Sequence, residues 1–207
     1  MLRTIASAIV TLVLSAGIAL AQDVRITPDA ASKTFAVGGT VHEIARNQDQ
    51  SARLTGEFTK TSRACPPFCV QPMDAGPGVE TIGELELLNF LETTVSGGRG
   101  LLVDARLPEW FQKGTIPGAV NIPFSTLDAS NPYRDQILEA LGGRKAGAGW
   151  DFSGALELAL FCNGPWCGQS HVAIAALHSV GYPGEKMKYY RGGMQLWQLM
   201  GLTVKTP

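Results

Sequence analysis

Apolar positions in the C-terminal two-thirds of this chain switch repeatedly between two rhythms. Thr81 and Glu84 stand three residues apart, as a capping box does. Ile82, Leu85, Leu88 and Leu91 then recur at helical spacing, so a helix is predicted there. Leu101, Leu102 and Val103 form a short, wholly apolar run ending at Asp104, the pattern of a strand buried on both faces. Ile137, Leu138 and Leu141 predict a second helix, stopped by Gly142 and Gly143. Residues 156–161 (LELALF) make a second buried strand that runs directly into Cys162. Beyond a turn, Ala173, Ala176, Leu177 and Val180 share one helical face, and Gly181 ends it. Residues 186–190 read as a third strand and 194–200 as a last helix. Strands alternating with helices predict an α/β fold on a parallel sheet covered on both faces. Ligands of such sheets bind at the carboxyl ends of the strands, which is where Cys162 falls.

The N-terminal third follows other rules. Residues 1–21 carry one Arg at position 3, an uncharged apolar run from position 5 to 20, and a small-residue site at Ala19-Leu20-Ala21. That is the pattern of a secretory signal peptide cleaved after Ala21, with a retained N-terminal anchor as the alternative reading. The run falls short of the roughly 20 residues a spanning helix needs, so export to the periplasm is expected, with no membrane contact for the mature chain. Residues 22–75 form a polar extension in which 34–37 and 52–58 read as brief strands. A Pro- and Gly-rich joint, residues 65–78, closes it and marks the boundary to a domain covering residues 76–207.

Charge narrows the partners. Lys and Arg total 17 against 18 Asp and Glu, a net charge of −1 with no run of one sign, so nucleic acid and anionic membranes are not expected partners. The four cysteines, Cys65, Cys69, Cys162 and Cys167, all lie beyond the leader, where oxidising conditions permit disulfides. Four cysteines allow three pairings, and the sequence does not choose among them.

The segment around Cys162 carries the candidate chemistry. A buried strand, a cysteine, a turn of small residues (Asn163, Gly164, Pro165, Trp166, Cys167, Gly168) and a helix follow in that order. Such a turn exposes successive backbone N–H groups, and the helix adds its positive N-terminal end, so an anion at the centre is stabilised. A thiol placed there ionises more readily than the usual ~8.5 allows.

Three separated segments resemble the signatures of the rhodanese family of sulfurtransferases. VDARLPEWFQKGTIPGAVNIP, residues 103–123, is similar to its N-terminal motif, with Asp-x-Arg at Asp104 and Arg106. LALFC is similar to the strand entering the active-site loop, and YYRGGMQLWQLMGLTV, residues 189–204, to the closing motif. The resemblance covers residues 79–204. It implies a single-domain, cofactor-free enzyme in which Cys162 is the nucleophile. The cysteine would take a sulfane sulfur from a small anion such as thiosulfate and pass the persulfide to a thiol, a cyanide-like acceptor or a partner protein. Asp104 and Arg106 would brace the site as an ion pair, or Arg106 would meet substrate directly. Arg191 would steer the anionic donor or stand as plain surface charge.

Two departures from the family pattern change the expectation. Thr115 replaces a usual His, and the loop is about two residues longer and lacks the usual Arg. Longer loops hold phosphate in the rhodanese relatives among the cell-cycle phosphatases. Those enzymes clamp the dianion with an Arg six positions after the Cys, and Gly168 stands there. Cys167 is open to three readings: a resolving thiol, a passive thiol under the loop, or a permanent disulfide with Cys162. Cys65 and Cys69 admit a local disulfide or a pair exchanging with Cys162 or a partner, whereas their spacing is a poor zinc pattern and no metal is assigned. His171 could touch the pocket, Trp166 could wall it or dock a partner, and His42, His178 and Trp197 read as structural.

Overall fold

A computed structural model describes residues 24–207. The signal peptide assigned to residues 1–21 lies outside them.

Two strands, β1 (Ser32–Val37) and β2 (Thr40–Ala45), pair antiparallel as a hairpin. Its two-residue turn is Gly38-Gly39, both at positive φ (54° and 81°), as the tight turn between twisted strands requires. The main body follows: β3 (Glu80–Ile82), α1 (Glu84–Phe90), β4 (Gly100–Asp104), α2 (Pro108–Phe111), β5 (Val120–Asn121) and α3 (Arg134–Ala140). A small hairpin of β6 (Arg144–Ala146) and β7 (Gly149–Asp151) leads to β8 (Glu157–Phe161), α4 (Gln169–Ser179), β9 (Met187–Tyr190) and α5 (Gly193–Leu199). Five of the strands form one sheet in the order β3-β9-β8-β4-β5, with every neighbouring pair parallel. This is the α/β class expected from the sequence: a parallel sheet flanked by helices, preceded by short antiparallel strands.

Alternation along the strands splits the core in two. Leu102, Ala159, Phe161 and Tyr190 face one layer with Leu87, Leu88, Phe90 and Leu91 from α1 and the turn after it, and with Met194 and Trp197 from α5. Val103, Leu158, Leu160, Met187 and Tyr189 face the other, against Leu138 of α3 and Ala173, Ile174 and Leu177 of α4. Phe35 and Ile44 of the N-terminal hairpin are buried in the first layer. The hairpin is tied down further by Lys33–Glu92 (2.8 Å) and by backbone bonds between Ala45 and Thr203 and between Asn47 and Gly201.

The structure corrects several local expectations. Thr81 lies in β3, and α1 starts three residues later, at Glu84. Glu86 Oε2, rather than Glu84, accepts from the backbone N–H at the helix start, that of Gly83 (3.1 Å). The buried stripe is therefore Leu87, Leu88, Phe90 and Leu91, and Leu85 is exposed. Residues 52–58 are not a strand but coil with a 3-10 turn at Gly56–Thr59, while β2 was not foreseen.

Candidate active site

Cys162 stands immediately after β8, at the carboxyl edge of the central strand, and the loop 162–168 leads into α4. The first turn of α5 closes the loop from below. Met194 and Gln195 donate their N–H groups to the carbonyls of Cys162 (3.0 Å) and Asn163 (2.8 Å), and Cys167 donates to the carbonyl of Gly164 (2.9 Å). Gly193 makes this approach possible. Its φ is +56°, and a Cβ there would stand 2.5 Å from the Cys162 carbonyl and 2.6 Å from the Gly164 nitrogen.

Behind the loop lies a buried charge network. Arg106 grips Asp104 bidentately, Nε to Oδ1 at 2.8 Å and Nη2 to Oδ2 at 2.6 Å, with both side chains at 1% exposure or less. The same guanidinium donates to the Gly114 carbonyl (2.7 Å) and through Nη1 to Oδ1 of Asn163 (3.3 Å), so it holds the second residue of the loop. Thr115, the residue that departs from the family pattern, donates its hydroxyl to Asp104 Oδ2 (2.7 Å). The Arg106 backbone N–H also donates to Oδ1 (3.1 Å), so four donors surround a carboxylate that burial alone would make costly.

The cysteines fall into the two local pairs. Cys162 and Cys167 have their sulfurs brought together with Cα atoms 6.1 Å apart, and Cys65 and Cys69 with Cα atoms 4.6 Å apart, both within the span of a disulfide. Cys162 is 2% exposed and Cys167 5%. Gln169, the first residue of α4, places Oε1 3.4 Å from the Cys162 sulfur, a contact the notable loop residues did not advertise in the sequence. Rotating that amide would present its NH₂ to a thiolate instead.

The remaining candidates gather around the loop's rim. Trp166 donates Nε1 to Gln195 Oε1 (2.6 Å) and packs edge-on against Phe68 (5.6 Å), while the Arg63 guanidinium lies 3.7 Å over its ring. Arg191 donates Nη2 to the Gln71 carbonyl (3.0 Å), so it is engaged by the extension. Gly168 has the Gln71 amide beside it, 3.4 Å from where a Cβ would sit. His171 lies against Tyr189 (ring centroids 4.7 Å apart) with neither ring nitrogen hydrogen-bonded among the described residues, and burial lowers its pKa. Burial likewise pushes the Tyr189 phenol up to about 12. Trp197 is fully buried. Among the described residues no three His, Cys, Asp or Glu side chains are grouped as a metal site, and no helix is long and apolar enough to cross a membrane. Sequence reasoning missed Arg63, Phe68, Gln71 and Gln195, because their roles come from a polar segment folding back on the loop.

The fold defines the class: a parallel α/β sheet that presents a cysteine at a strand-to-helix turn. The chain belongs to the family of the rhodanese-like domain, whose model matches residues 86–200, more than half of its length. It is 30% identical over 129 residues to an HTH-type transcriptional regulator of Mycobacterium tuberculosis, a match covering 62% of this chain and 46% of the regulator, so it spans less than half of that relative. Among solved structures it is similar to a human single-domain sulfurtransferase, at 30% identity and TM-score 0.41 over 59% of this chain and 97% of that one. A single-domain sulfurtransferase of Saccharomyces cerevisiae matches at 22% identity and TM-score 0.43, over 59% and 91%.

Proposed function

We propose that this protein is an exported, periplasmic sulfurtransferase that moves a sulfane sulfur from a small anionic donor such as thiosulfate to a thiophilic acceptor through a persulfide on Cys162. The observation that carries the reading is the position of Cys162: the first residue of the loop at the carboxyl end of the central strand, within the segment matched to the family. The Cys162 thiolate attacks the outer sulfur of thiosulfate, the sulfur–sulfur bond breaks, and sulfite leaves with the electron pair. An acceptor thiolate or cyanide then attacks the outer sulfur of the persulfide and returns Cys162 as thiolate. Arg106 positions the loop through Asn163 and stays outside the reacting atoms.

The pairing of Cys162 with Cys167 favours a second, compatible role for the loop. We assign Cys167 as a resolving thiol whose disulfide with Cys162 guards the nucleophile from sulfenic acid and beyond until a reductant reopens it. A thiol-disulfide protein without sulfur transfer and a non-catalytic module that binds sulfur without turnover are the competing readings. Thiosulfate-to-cyanide transfer separates them: the reduced wild type turns over, Cys162→Ser falls to background, and Cys167→Ser keeps turnover before oxidation but loses it irreversibly afterwards. No transfer by the reduced wild type, with intact disulfide exchange, would leave the redox reading alone.

A further inference from the structure

Residues 56–76 cross the loop as a strap. Gln71 donates its N–H to the Pro165 carbonyl (2.8 Å) and lays its amide beside Gly168, while Arg63 lies over the Trp166 ring and Phe68 meets that ring edge-on. Gln195 links the two bodies, accepting from Trp166 and donating to the Phe58 carbonyl (2.9 Å). Arg191 reaches from the end of β9 to the Gln71 carbonyl, and Thr81 donates to the Met73 carbonyl. The strap itself has no buried residue, and its only regular structure is the 3-10 turn at Gly56–Thr59. A segment with so little core of its own opens at low free energy, so a few contacts decide whether it is down.

We propose that residues 56–76 are a redox-latched strap over the sulfur-carrying loop, with a disulfide between Cys65 and Cys69 as the latch. This rests on the reading of Cys162 as nucleophile, a residue 2% exposed at the head of the loop that the strap crosses. The latch closes a ring of five residues through Pro66 and Pro67, in which the Phe68 N–H meets the Ala64 carbonyl (3.0 Å) and the Phe68 ring is aimed at Trp166. Closing so small a ring favours the ordered arrangement by about 30-fold in the chain-entropy model of disulfides. Cys65 is exposed, so the latch is reachable from solvent. The reductant is a dithiol: one of its thiolates attacks a latch sulfur, forms a mixed disulfide and releases the other latch sulfur as thiolate. The second thiol of the reductant then resolves the mixed disulfide. Two electrons and two protons pass to Cys65 and Cys69, and the reductant leaves as a disulfide. With the ring open, Phe68 and Arg63 lose their fixed stance on Trp166, and the strap gives an acceptor room to reach Cys162.

The test uses the mature chain carrying Cys167→Ser, so that Cys162 remains a thiol whatever the state of the latch. The rate of iodoacetamide alkylation at Cys162 is followed by peptide mass, with Cys65–Cys69 oxidised, with Cys65→Ser and Cys69→Ser added, and separately with Arg63→Ala and the latch intact. Both sets of changes should raise the rate by tenfold or more while circular dichroism shows the fold retained. Equal rates in all three proteins would overturn the strap. If the serine pair fails to fold, Arg63→Ala reads the same cover without touching a cysteine. Unchanged labelling alongside thiosulfate-dependent sulfur loading would remove the strap and keep the sulfurtransferase. Faster labelling without sulfur loading would do the reverse.

Discussion

Asp104 and Arg106 show why single residues matter here. Both are buried, and each satisfies the other, so removing one partner strands a charge in the core. Arg106→Ala should cost about 3–5 kcal/mol of stability, read by denaturant unfolding, since it also frees Asn163 and the Gly114 carbonyl. A change within about 0.5 kcal/mol would show the pair to be a surface-like interaction. His171 gives a pH-dependent counterpart. Its folded pKa lies below the ordinary 6.5, with burial as the main cause. Above 6.5 neither the folded nor the unfolded state binds the proton. As pH falls through 6.5 the unfolded chain takes it up first, and stability drops until the lower folded value is reached. Tm measured at pH 7.5 and pH 5.5 should therefore fall more for the wild type than for His171→Gln, and equal falls would contradict the assignment. The Asp-x-Arg spacing was visible in the sequence, but the choice between brace and substrate contact was not, because it depends on Gly114 and Asn163 arriving from distant positions.

Among the elements, the loop from Cys162 to Gly168 depends on the first turn of α5. Gly193 occupies a backbone conformation and a space that a methyl group cannot share. Gly193→Ala should lower sulfur transfer at least tenfold and destabilise by more than about 1 kcal/mol, checked by transfer rate and thermal unfolding together. Wild-type rates in a stable variant would mean that the loop tolerates a displaced α5. The strands β4 and β8 were legible because a strand buried on both faces leaves a continuous apolar run, and β9 because Met187, Tyr189 and Tyr190 form a short strand-like run interrupted by Lys188. Helices α3, α4 and α5 were legible from periodicity and the glycines that end them. β3 and β5 are too short to leave a pattern, with three and two residues. α1 was misplaced because Thr81 and Glu84 mimic a cap while Gly83 and Glu86 provide the actual helix start.

At the scale of the molecule, the extension packs against the α/β body and reaches the loop. Phe35 and Ile44 complete one core layer, and residues 56–76 reach the far end of the sheet to meet the loop. Their polar composition hid this from the sequence, because a segment held by backbone carbonyls, one guanidinium and two aromatic rings carries no hydrophobic period. The central claim is that Cys162 carries sulfane sulfur, and intact mass spectrometry of the reduced mature protein after thiosulfate treatment tests it most directly. The wild type should gain about 32 Da, one sulfur, and lose it again on adding cyanide, while Cys162→Ser should gain nothing. No gain in the wild type, or an equal gain in Cys162→Ser, would contradict the account.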